Sequence, residues 1–407
     1  MNKLDELIQQ LCPNGVPYRR LGDIATICRG GSFQKKDFTE SGVPCIHYGQ
    51  IYTRYGLFVN ETITYIGEET AQKQKFAEPN DVVMAVTSEN IEDVCKCVAW
   101  LGDGKVAVSG HAAIIHHSMN PKYLVYWLHS SSFYQQKAKI ANGTKVIEVA
   151  PAKLSDVVLP VPPLEIQHEI VRILDTFTEL TAELTAELTA RKQQYEYYRN
   201  TLLNFDLKIP KVKLKDIATA FYRGFGIKRD DVSAEGVPCV RYGEIYTTYN
   251  TWFDTCVSHV DIKKVESPKY FEYGDILFAI TGESIEDIAK SVAYVGHEKC
   301  LAGGDIVVMK HNQNPRYIAH VLATQAAKAQ KGKGKVKSKV VHSNVPSIEN
   351  IEIPLPSLAV QERCAYLLDN FESICSDLNI GLPAEIEARK KQYEYYRDKL
   401  LSFTPAD

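Results

Sequence analysis

The feature that most constrains this 407-residue chain is an internal duplication. The segment GVPCIHYGQIYTRY at residues 42–55 returns as GVPCVRYGEIYTTY at residues 236–249, with ten of fourteen positions identical. Flanking segments repeat in the same order, among them DVVMAVTSENIED at residue 81 and DILFAITGESIED at residue 275. The offset is 194 residues, which is the length of a domain and a connecting helix. The chain is therefore predicted to contain one structural module twice.

A long helix is predicted after each copy. From residue 170 to residue 202, apolar side chains recur in alternating steps of three and four, as in the seam of a coiled coil. This stretch contains the tandem unit TAEL at 181–184 and 185–188, and the second copy should be interrupted at Gly381 and Pro383. The predicted seam residues are Leu174, Phe177, Leu184, Leu188, Tyr195, Tyr198, Leu367, Phe371, Ile374, Tyr393 and Tyr396.

The expected fold class is α+β, with two similar α/β modules separated by two long helices. The apolar runs DVVMAV and DILFAI, each opened by an Asp, predict strands, and PKYLVYWLHSSSFYQQKAK predicts one helix closed at Asn142 and Gly143. A lone helix with an apolar seam needs a partner, and a pseudo-twofold would place the two helices antiparallel as a coiled coil. The expected boundaries are 1–160 for the first module, 161–205 for the first helix, 206–354 for the second module and 355–407 for the second helix.

Composition excludes some classes and leaves others open. The net charge of −3 does not indicate a nucleic-acid partner globally, so local patches would have to bind it. Ten irregularly spaced cysteines predict reduced thiols and a cytoplasmic protein rather than a disulfide framework. The sequence shows neither a signal peptide nor a run of 18 apolar residues, so no membrane partner is expected.

Positions that differ between the copies inside the shared frame are candidates for contacts with DNA bases. Arg, Gln, Asn and Glu are the side chains that hydrogen-bond base edges in the major groove. The neighbouring tyrosines shared by both copies are better explained as scaffold, and ordinary surface divergence remains open at any single position. The candidates are His47, Tyr48, Gln50, Tyr52, Arg54, Ser88, Glu89 and Asn90 in the first copy, and Arg241, Tyr242, Glu244, Tyr246, Thr248, Glu283 and Ser284 in the second.

Lysines recur at equivalent places in both copies. The segment from residue 325 to 342 holds six lysines, two glycines and no acid, which suits the phosphates of a nucleic-acid backbone. An alternative is that the charges merely form a solvated face. The candidate phosphate contacts are Lys35, Lys36, Lys137, Lys139, Lys145, Lys228, Arg229, Lys331, Lys333, Lys335 and Lys337.

Together these motifs resemble the DNA specificity subunit of type I restriction–modification systems. The resemblance covers essentially the whole chain and depends on the two-copy plan, the LPVPPLEIQ and IPLPSLAVQ entries to the helices, the TAEL tandem and the RKxQYEYYR ends. It implies two target-recognition domains, each recognising half of a split double-stranded DNA site, and helices that set the spacing. The implied partners are two methyltransferase (modification) subunits and two restriction subunits. S-adenosylmethionine, ATP and Mg²⁺ would be bound by those partners and none by this chain, which would not be an enzyme.

Two other functions remain open at this stage. A self-sufficient adenine methyltransferase would need a cofactor loop and an Asn-Pro-Pro-aromatic motif, whereas NPKY at residue 120 and NPRY at residue 314 lack the second proline and fit helix entries better. A coiled-coil adaptor that never contacts DNA is the other. A nuclease site at Asp81 has the wrong spacing, and no Walker loop is present. A zinc site at Cys95 and Cys97 with nearby histidines is not expected, because the second copy lacks the cysteines.

Overall fold

The computed structural model describes residues 3–205, 209–282, 288–331, 335–337, 340–376 and 381–406, with the backbone alone described at 335–337, 340 and 376. The chain divides into two compact units. The first unit comprises Met1–Glu183 with Glu387–Asp407, and the second comprises Leu184–Ile386. Each unit therefore contains one copy of the module, part of the helix that follows it, and part of the other copy's helix.

The first copy builds a module of short strands and helices. Its elements are α1 (Lys3–Leu11), β1 (Tyr18–Arg20), α2 (Leu21–Ile24), β2 (Ala25–Arg29), β3 (Phe38–Thr39), β4 (Val43–Ile46), α3 (Tyr48–Thr53), β5 (Phe58–Val59), β6 (Tyr65–Ile66), α4 (Glu68–Ala71), β7 (Lys75–Ala77), β8 (Val82–Ala85), β9 (Thr87–Ser88), β10 (Cys97–Trp100), β11 (Val106–Val108), β12 (Ala112–His117), α5 (Pro121–Leu128), α6 (Ser131–Ile140), β13 (Ile147–Glu148), α7 (Pro151–Leu154) and β14 (Val158–Pro160), followed by the long helix α8 (Leu164–Leu202).

The second copy repeats this order. Its elements are β15 (Lys211–Lys213), α9 (Leu214–Ile217), β16 (Ala218–Arg223), β17 (Val232–Ser233), β18 (Val237–Val240), α10 (Tyr242–Thr247), β19 (Trp252–Phe253), β20 (Ser258–Val260), β21 (Tyr270–Phe271), β22 (Ile276–Ala279), β23 (Thr281–Gly282), β24 (Ser291–Tyr294), β25 (Cys300–Ala302), β26 (Ile306–His311), α11 (Pro315–Leu322), α12 (Gln325–Lys331), β27 (Lys335–Lys337), β28 (Val340–His342), α13 (Val345–Glu349), β29 (Glu352–Pro354), α14 (Leu358–Ser376) and α15 (Gly381–Leu400). Single 3-10 turns lie at Lys35–Asp37, Arg229–Asp231 and Ile262–Lys264.

The two modules have the same sheet topology. In the first, the five-stranded sheets have the orders β2-β12-β8-β10-β5 and β3-β6-β4-β11-β7, and in the second the equivalent strands follow the same orders. In the first module, β10 pairs with β5 and β11 with β4 in parallel, while the other neighbours in these two sheets are antiparallel. The register also repeats, since Val83 faces Ile114 and the equivalent Leu277 faces Val308. The duplication predicted from the sequence is thus confirmed strand by strand.

The two predicted strands opened by an Asp are the central strands β8 and β22, whose residues are all buried. The backbone N–H of Glu78 donates to the Asp81 carboxylate at 2.6 Å, and that of Glu272 donates to Asp275 at 2.9 Å. These bonds satisfy the turn before a buried strand and fix where it begins.

The segment predicted as one helix after Asn120 is two helices, α5 and α6, so that prediction was wrong in its length. Ser130 interrupts it, because its hydroxyl accepts from the N–H of Phe133 and caps α6. The helix entries predicted at NPKY and NPRY are confirmed. Asn120 caps α5 and Asn314 caps α11 with their side-chain oxygens, and a proline occupies the first helical position of each.

The long helix after the first copy is continuous from Leu164 to Leu202 and includes both TAEL units. In the second copy the described helix has two segments, α14 and α15, and Gly381 at the start of α15 has a φ of +72°. A continuous right-handed helix excludes this backbone conformation, which Gly adopts readily. The interruption predicted at Gly381 is therefore observed, whereas Pro383 lies within the first turn of α15 and does not interrupt it.

The seam prediction is confirmed in part. In the first unit Leu174 is fully buried, Tyr393 packs against the core, and the rings of Phe177 and Tyr396 lie 5.4 Å apart. In the second unit Tyr195 is buried and the ring of Tyr198 stacks on Phe371 at 5.8 Å, although both of these rings remain about two-fifths exposed. The remaining α8 positions of the seam, Leu184 and Leu188, are half-buried.

The prediction for α14 was wrong at Leu367 and Ile374, which are 39% and 51% exposed. The buried apolar side chains among those described in this helix are Cys364, Ala365, Leu368 and Cys375. Three of these four buried residues are small, whereas the large apolar residues Leu367 and Ile374, on which the seam prediction depended, are exposed. The two helices, α8 and α14, run antiparallel in this unit, since Tyr198 contacts Phe371 while Arg191, earlier in α8, lines the same cavity as Cys375, later in α14.

A buried glutamine joins each module to the helix that follows it. Gln167 donates to Pro162 O at 2.7 Å and accepts from the N–H of Asn120 at 2.8 Å. Gln361 does the same with Pro356 O at 2.9 Å and the N–H of Asn314 at 3.1 Å. The glutamine of the repeated helix-entry motif thus ties the first turn of the long helix to the cap of α5 or α11.

Replacing Gln361 with Ala is expected to lower the free energy of unfolding by about 1 to 3 kcal/mol, because a buried carbonyl and a buried N–H lose their partner. Urea denaturation of the full chain measures this, and Gln167→Ala should cost a similar amount. Gln194→Ala, at an exposed position of α8, is the control. A change no larger than that of the control would show that the motif does not fix this joint.

Candidate nucleic-acid interface

The predicted base contacts of the first copy lie around α3 and β9. The hydroxyl of Tyr52 donates to Thr87 O at 2.8 Å, which holds α3 against β9. Ser88 on β9 pairs with Ile147 on β13, so the loop containing Lys145 lies beside this strand. The structure therefore brings Tyr52, Ser88 and the Lys145 loop together at one edge of the first module. Tyr48 begins α3, half-buried, and its N–H donates to Ser109 Oγ at 2.9 Å.

His47 and Gln50 are buried and engaged within the module. The His47 Nδ1 atom accepts from the N–H of Gly49 at 3.2 Å, and the Gln50 side chain accepts from the N–H of His47 at 2.9 Å and donates to Thr64 Oγ1 at 3.0 Å. Burial lowers the pKa of His47, and the nearby Lys35 and His111 lower it further, so the ring stays neutral. Their prediction as base contacts does not fit this placement, because their polar atoms already cap α3.

The second copy uses the same arrangement with charged residues. Glu244 is buried, and its carboxylate accepts from the N–H and Nε of Arg241 at 3.0 and 2.9 Å and from Ser258 Oγ at 2.7 Å. Glu244 is therefore also corrected from a base contact to a cap of α10. Arg241 keeps a partly exposed guanidinium, but an ion pair of 2.7 Å to Glu244 holds it.

The exposed candidates are few. In the first module they are Arg54 at the end of α3, Glu89 and Asn90, of which Asn90 donates to Asp93 at 2.8 Å. In the second they are Tyr242, which is 41% exposed, and Thr248, while Tyr246 is half-buried with its hydroxyl 3.3 Å from Ala279 O. Glu283 and Ser284 lie outside the described residues. Arg54 and Thr248 occupy equivalent positions, and this is the clearest exposed difference between the two modules.

Lys137 and Lys331, at equivalent positions, are buried, which contradicts their prediction as phosphate contacts. Lys137 Nζ donates to the carbonyls of Glu92 and Val94 at 2.8 and 2.6 Å. Lys331 Nζ lies 3.1 Å from Ser291 Oγ, and burial lowers its pKa to about 7, with Lys328 contributing. The number of lysines in the segment could not reveal that these two are buried, because the other basic residues of α6 and α12 are exposed.

Six of the other basic candidates are exposed. The exposed side chains are Lys35, Lys36, Lys139, Lys145, Lys228 and Arg229. Lys335 and Lys337 lie on β27, the outer strand of the sheet β23-β28-β27, and Lys333 lies outside the described residues. The lysine-rich strand of the second module therefore belongs to the same small sheet as β23, which is equivalent to β9.

Sequence reasoning missed a polar network at the joint between module and helix. In the second unit Asp369 accepts from His320 Nε2 and Trp252 Nε1 at 2.8 Å each and from Arg316 at 3.0 Å, while Tyr195 lies 3.2 Å from His320 Nδ1. Burial opposes ionisation, but these hydrogen bonds hold the pKa of Asp369 below its usual value. In the first unit Asp175 accepts from Tyr126 and Lys122 at 2.7 and 2.6 Å. The first copy has Tyr126 where the second has His320. This replacement of a tyrosine by a histidine at equivalent positions could have pointed to the site.

His320, Asp369 and Glu372 form a group that could hold a metal ion, with candidate ligand atoms within 4.8 Å of one another. Each already has a protein partner, and the Arg316 guanidinium beside Asp369 disfavours a cation. The cysteines and histidines weighed for zinc do not gather in the part of the chain that the structure describes. Cys97 lies 3.9 Å from His129, and His116 pairs instead with Asp81 at 2.6 Å.

Comparison with known proteins places both copies in one family. The model of the family described as "Type I restriction modification DNA specificity domain" matches residues 13–191 and 208–388. A putative type I restriction enzyme specificity subunit of Haemophilus influenzae is 29% identical over 315 residues, covering 74% of this chain and 77% of the relative. The EcoR124I/EcoR124II specificity subunit of Escherichia coli is 31% identical over 291 residues, covering 69% and 70%.

A solved structure has the same fold. A chain from a structure described as showing complex assembly and conformational transition of the type I R-M system aligns with a TM-score of 0.63 at 16% identity. The alignment covers 96% of this chain and 98% of that one.

Among the helices described here, none combines the length and apolar character needed to cross a membrane.

Proposed function

Because this chain belongs to the type I restriction modification DNA specificity domain family, we propose that its two modules recognise the two halves of a split DNA site. The chain supplies the sequence specificity of a type I restriction–modification complex and is not its catalytic component. Family membership extends over both copies, which supports a recognition role for each module.

The observation that carries the proposal is that the two modules share one backbone scaffold but differ in exposed side chains at equivalent positions. The modules have the same strand order and register, and α3 and α10 are capped at equivalent positions. On this common scaffold, Arg54 of the first module stands where the second has Thr248. Two copies of one scaffold with different side chains at the same place are suited to binding two different short sequences.

The partners follow from this role. The chain associates with double-stranded DNA and with modification and restriction subunits, and we propose two copies of each subunit, because there are two modules. S-adenosylmethionine, ATP and Mg²⁺ would be bound by those subunits. The chain would bring the modification subunits to the half-sites, where each would methylate an adenine.

Equilibrium binding of the reconstituted complex to duplex DNA tests this function. A duplex with both half-sites should bind at least on the order of a thousandfold more tightly than a scrambled duplex at the same salt concentration. Scrambling either half-site alone should abolish most of the preference. Equal affinity for all duplexes would contradict sequence recognition, and absence of binding to any duplex would instead support an adaptor that never contacts DNA.

Replacing Lys335 and Lys337 with Gln is expected to weaken binding to every duplex alike. Loss of two phosphate contacts should reduce the slope of log affinity against log salt concentration by about 2. The control is Lys263→Gln with Lys264→Gln, an exposed pair in the 3-10 turn of the same module. A salt slope equal to that of the unmodified complex would remove β27 from the phosphate-binding surface.

A further inference from the structure

The second unit contains a cavity of about 430 Å³ where α8 and α14 pack against the module. Four basic side chains line it, Arg199, Lys290, Lys328 and Lys331, against two acidic ones, Glu196 and Glu372. One carboxylate oxygen of Glu372 already accepts a hydrogen bond from Thr251 Oγ1 at 2.6 Å. Basic side chains therefore outnumber acidic ones in this lining, in a chain whose net charge is −3.

Arg199 is the central group of this cavity. Its side chain is 9% exposed, and its buried Nε has no hydrogen-bond partner among the residues that the structure describes. A carboxylate oxygen of Glu196 lies 3.9 Å from a terminal nitrogen of Arg199, which is beyond hydrogen-bond length. The central carbon of the guanidinium lies 5.0 Å from the centroid of the Tyr195 ring, which is a cation–π contact. A buried arginine with an unsatisfied donor favours binding of an anionic oxygen.

In the first unit, the arginine equivalent to Arg199 is paired with a carboxylate. Arg397, equivalent to Arg199, donates to Asp398 through Nε and a terminal nitrogen at 3.0 Å each. Asp398 also accepts from the N–H of Ser131, at the start of α6. In the second unit the equivalent residue is Asn200, which accepts from the N–H of Gln325 at 2.9 Å, at the start of α12. The capping contact is retained, and the carboxylate that would neutralise the arginine is replaced by a neutral amide.

Lys331 supplies a second buried donor on the same cavity. It is 5% exposed, and Ser291 Oγ is a neutral partner. Its counterpart Lys137 is held by two backbone carbonyls instead. An anion between Arg199 and Lys331 would restore the charge balance that Asp398 provides in the first unit.

We propose that this cavity binds an oxyanion of the sulfate and phosphate class, with Arg199 and Lys331 as its buried donors. The first unit has no need of such a ligand at the equivalent position, because Asp398 already occupies the place of the anion. The site is therefore specific to the second unit. The proposal does not depend on the recognition of DNA bases.

Isothermal titration of the full chain with sulfate, in a chloride buffer of constant ionic strength, tests this proposal. Sulfate is chosen because it remains a dianion throughout the neutral range. We expect saturable binding at one site per chain. Asn200→Asp should weaken it at least tenfold, because it places beside Arg199 the carboxylate that Arg397 has in the first unit while keeping the cap of α12.

Two further variants separate the site from general charge effects. Arg199→Gln should also weaken sulfate binding at least tenfold, and Thr189→Glu, which adds a negative charge at an exposed position of α8, should leave it unchanged within twofold. If Arg199→Gln fails to fold, the conservative Asn200→Asp still decides the question. Absence of saturable binding, or affinity that Asn200→Asp leaves unchanged, would overturn the proposal.

The anion could come from solution or from the DNA backbone, and competition distinguishes these sources. The sulfate titration is repeated on the reconstituted complex with and without saturating cognate duplex. A duplex that weakens sulfate binding identifies a DNA phosphate as the ligand. Unchanged sulfate affinity identifies a free inorganic anion.

Discussion

Inserting one further TAEL unit after Leu188 is expected to move methylation to sites whose spacer is one or two base pairs longer, with both half-site sequences unchanged. Four residues lengthen an α-helix by about 6 Å, and duplex DNA advances about 3.4 Å per base pair. The insertion falls within α8, which is continuous from Leu164 to Leu202. Activity at the original sites should fall by at least on the order of a thousandfold, because a wrong spacing costs one entire half-site.

The pattern of exposed and half-buried residues in α8 is compatible with this insertion. Leu184 and Leu188 are half-buried while Ala182, Glu183, Ala186 and Glu187 are exposed, so a repeat of the same four residues continues the apolar stripe. Sequencing of methylated adenines in cells carrying the variant and its partner subunits measures the outcome. The matched control, Thr185→Ala with Thr189→Ala, changes the repeats without changing their length and should leave the spacer as it was. An unchanged spacer in the insertion variant, or an altered half-site, would contradict a spacing role for α8.

Replacing Arg54 with Ala is expected to relax the sequence requirement of one half-site and leave the other unchanged. Arg54 is exposed at the end of α3, and its equivalent in the second module is Thr248. An arginine contact with guanine contributes about 1 to 3 kcal/mol to discrimination, so preference at one base pair should fall about tenfold or more. Competition binding with duplexes substituted at each position of both half-sites measures this.

Arg19→Ala provides the matched control, because it removes the same charge from an exposed position of the same module. It should leave the preference at every base pair unchanged. If Arg54→Ala weakened binding to all sequences equally, Arg54 would be a phosphate contact rather than a base contact. Arg241 is a weaker candidate for the second half-site, since its guanidinium is paired with Glu244.

The parts of the fold that follow from local and repeated patterns were predictable from the sequence. The duplication is visible as a repeated sequence, and the central strands after Asp81 and Asp275 and the break at Gly381 depend on residues adjacent in the chain. The division of the 121–140 segment into two helices was not predicted, because Ser130 lies inside an unbroken helical pattern and only its capping bond shows the new start.

The candidate site was predicted less well, since burial depends on partners distant in the sequence. Gln50 is fixed by Thr64, and Glu244 by Ser258, fourteen residues away in each case. Lys137 turns inward because carbonyls more than 40 residues earlier accept from it. Differences between the copies pointed to the segments around α3 and α10, and the structure then separated residues that cap these helices from residues that remain exposed.

The same dependence explains why the joint between module and helix was missed. His320 is hydrogen-bonded to Asp369 and lies beside Tyr195, which is 125 residues earlier in the chain. These contacts help to hold parts of both helices in the second unit. A sequence read along one copy at a time contains no sign of a partner contributed by the other copy.

The most direct test of the central claim is a map of methylated adenines in cells that carry this chain with its modification subunits. Two modules on one chain predict a single motif made of two short specified sequences, each with a methylated adenine, separated by a spacer of fixed length and unspecified sequence. A motif without an internal spacer, or two half-sites that occur at variable distances, would contradict the account.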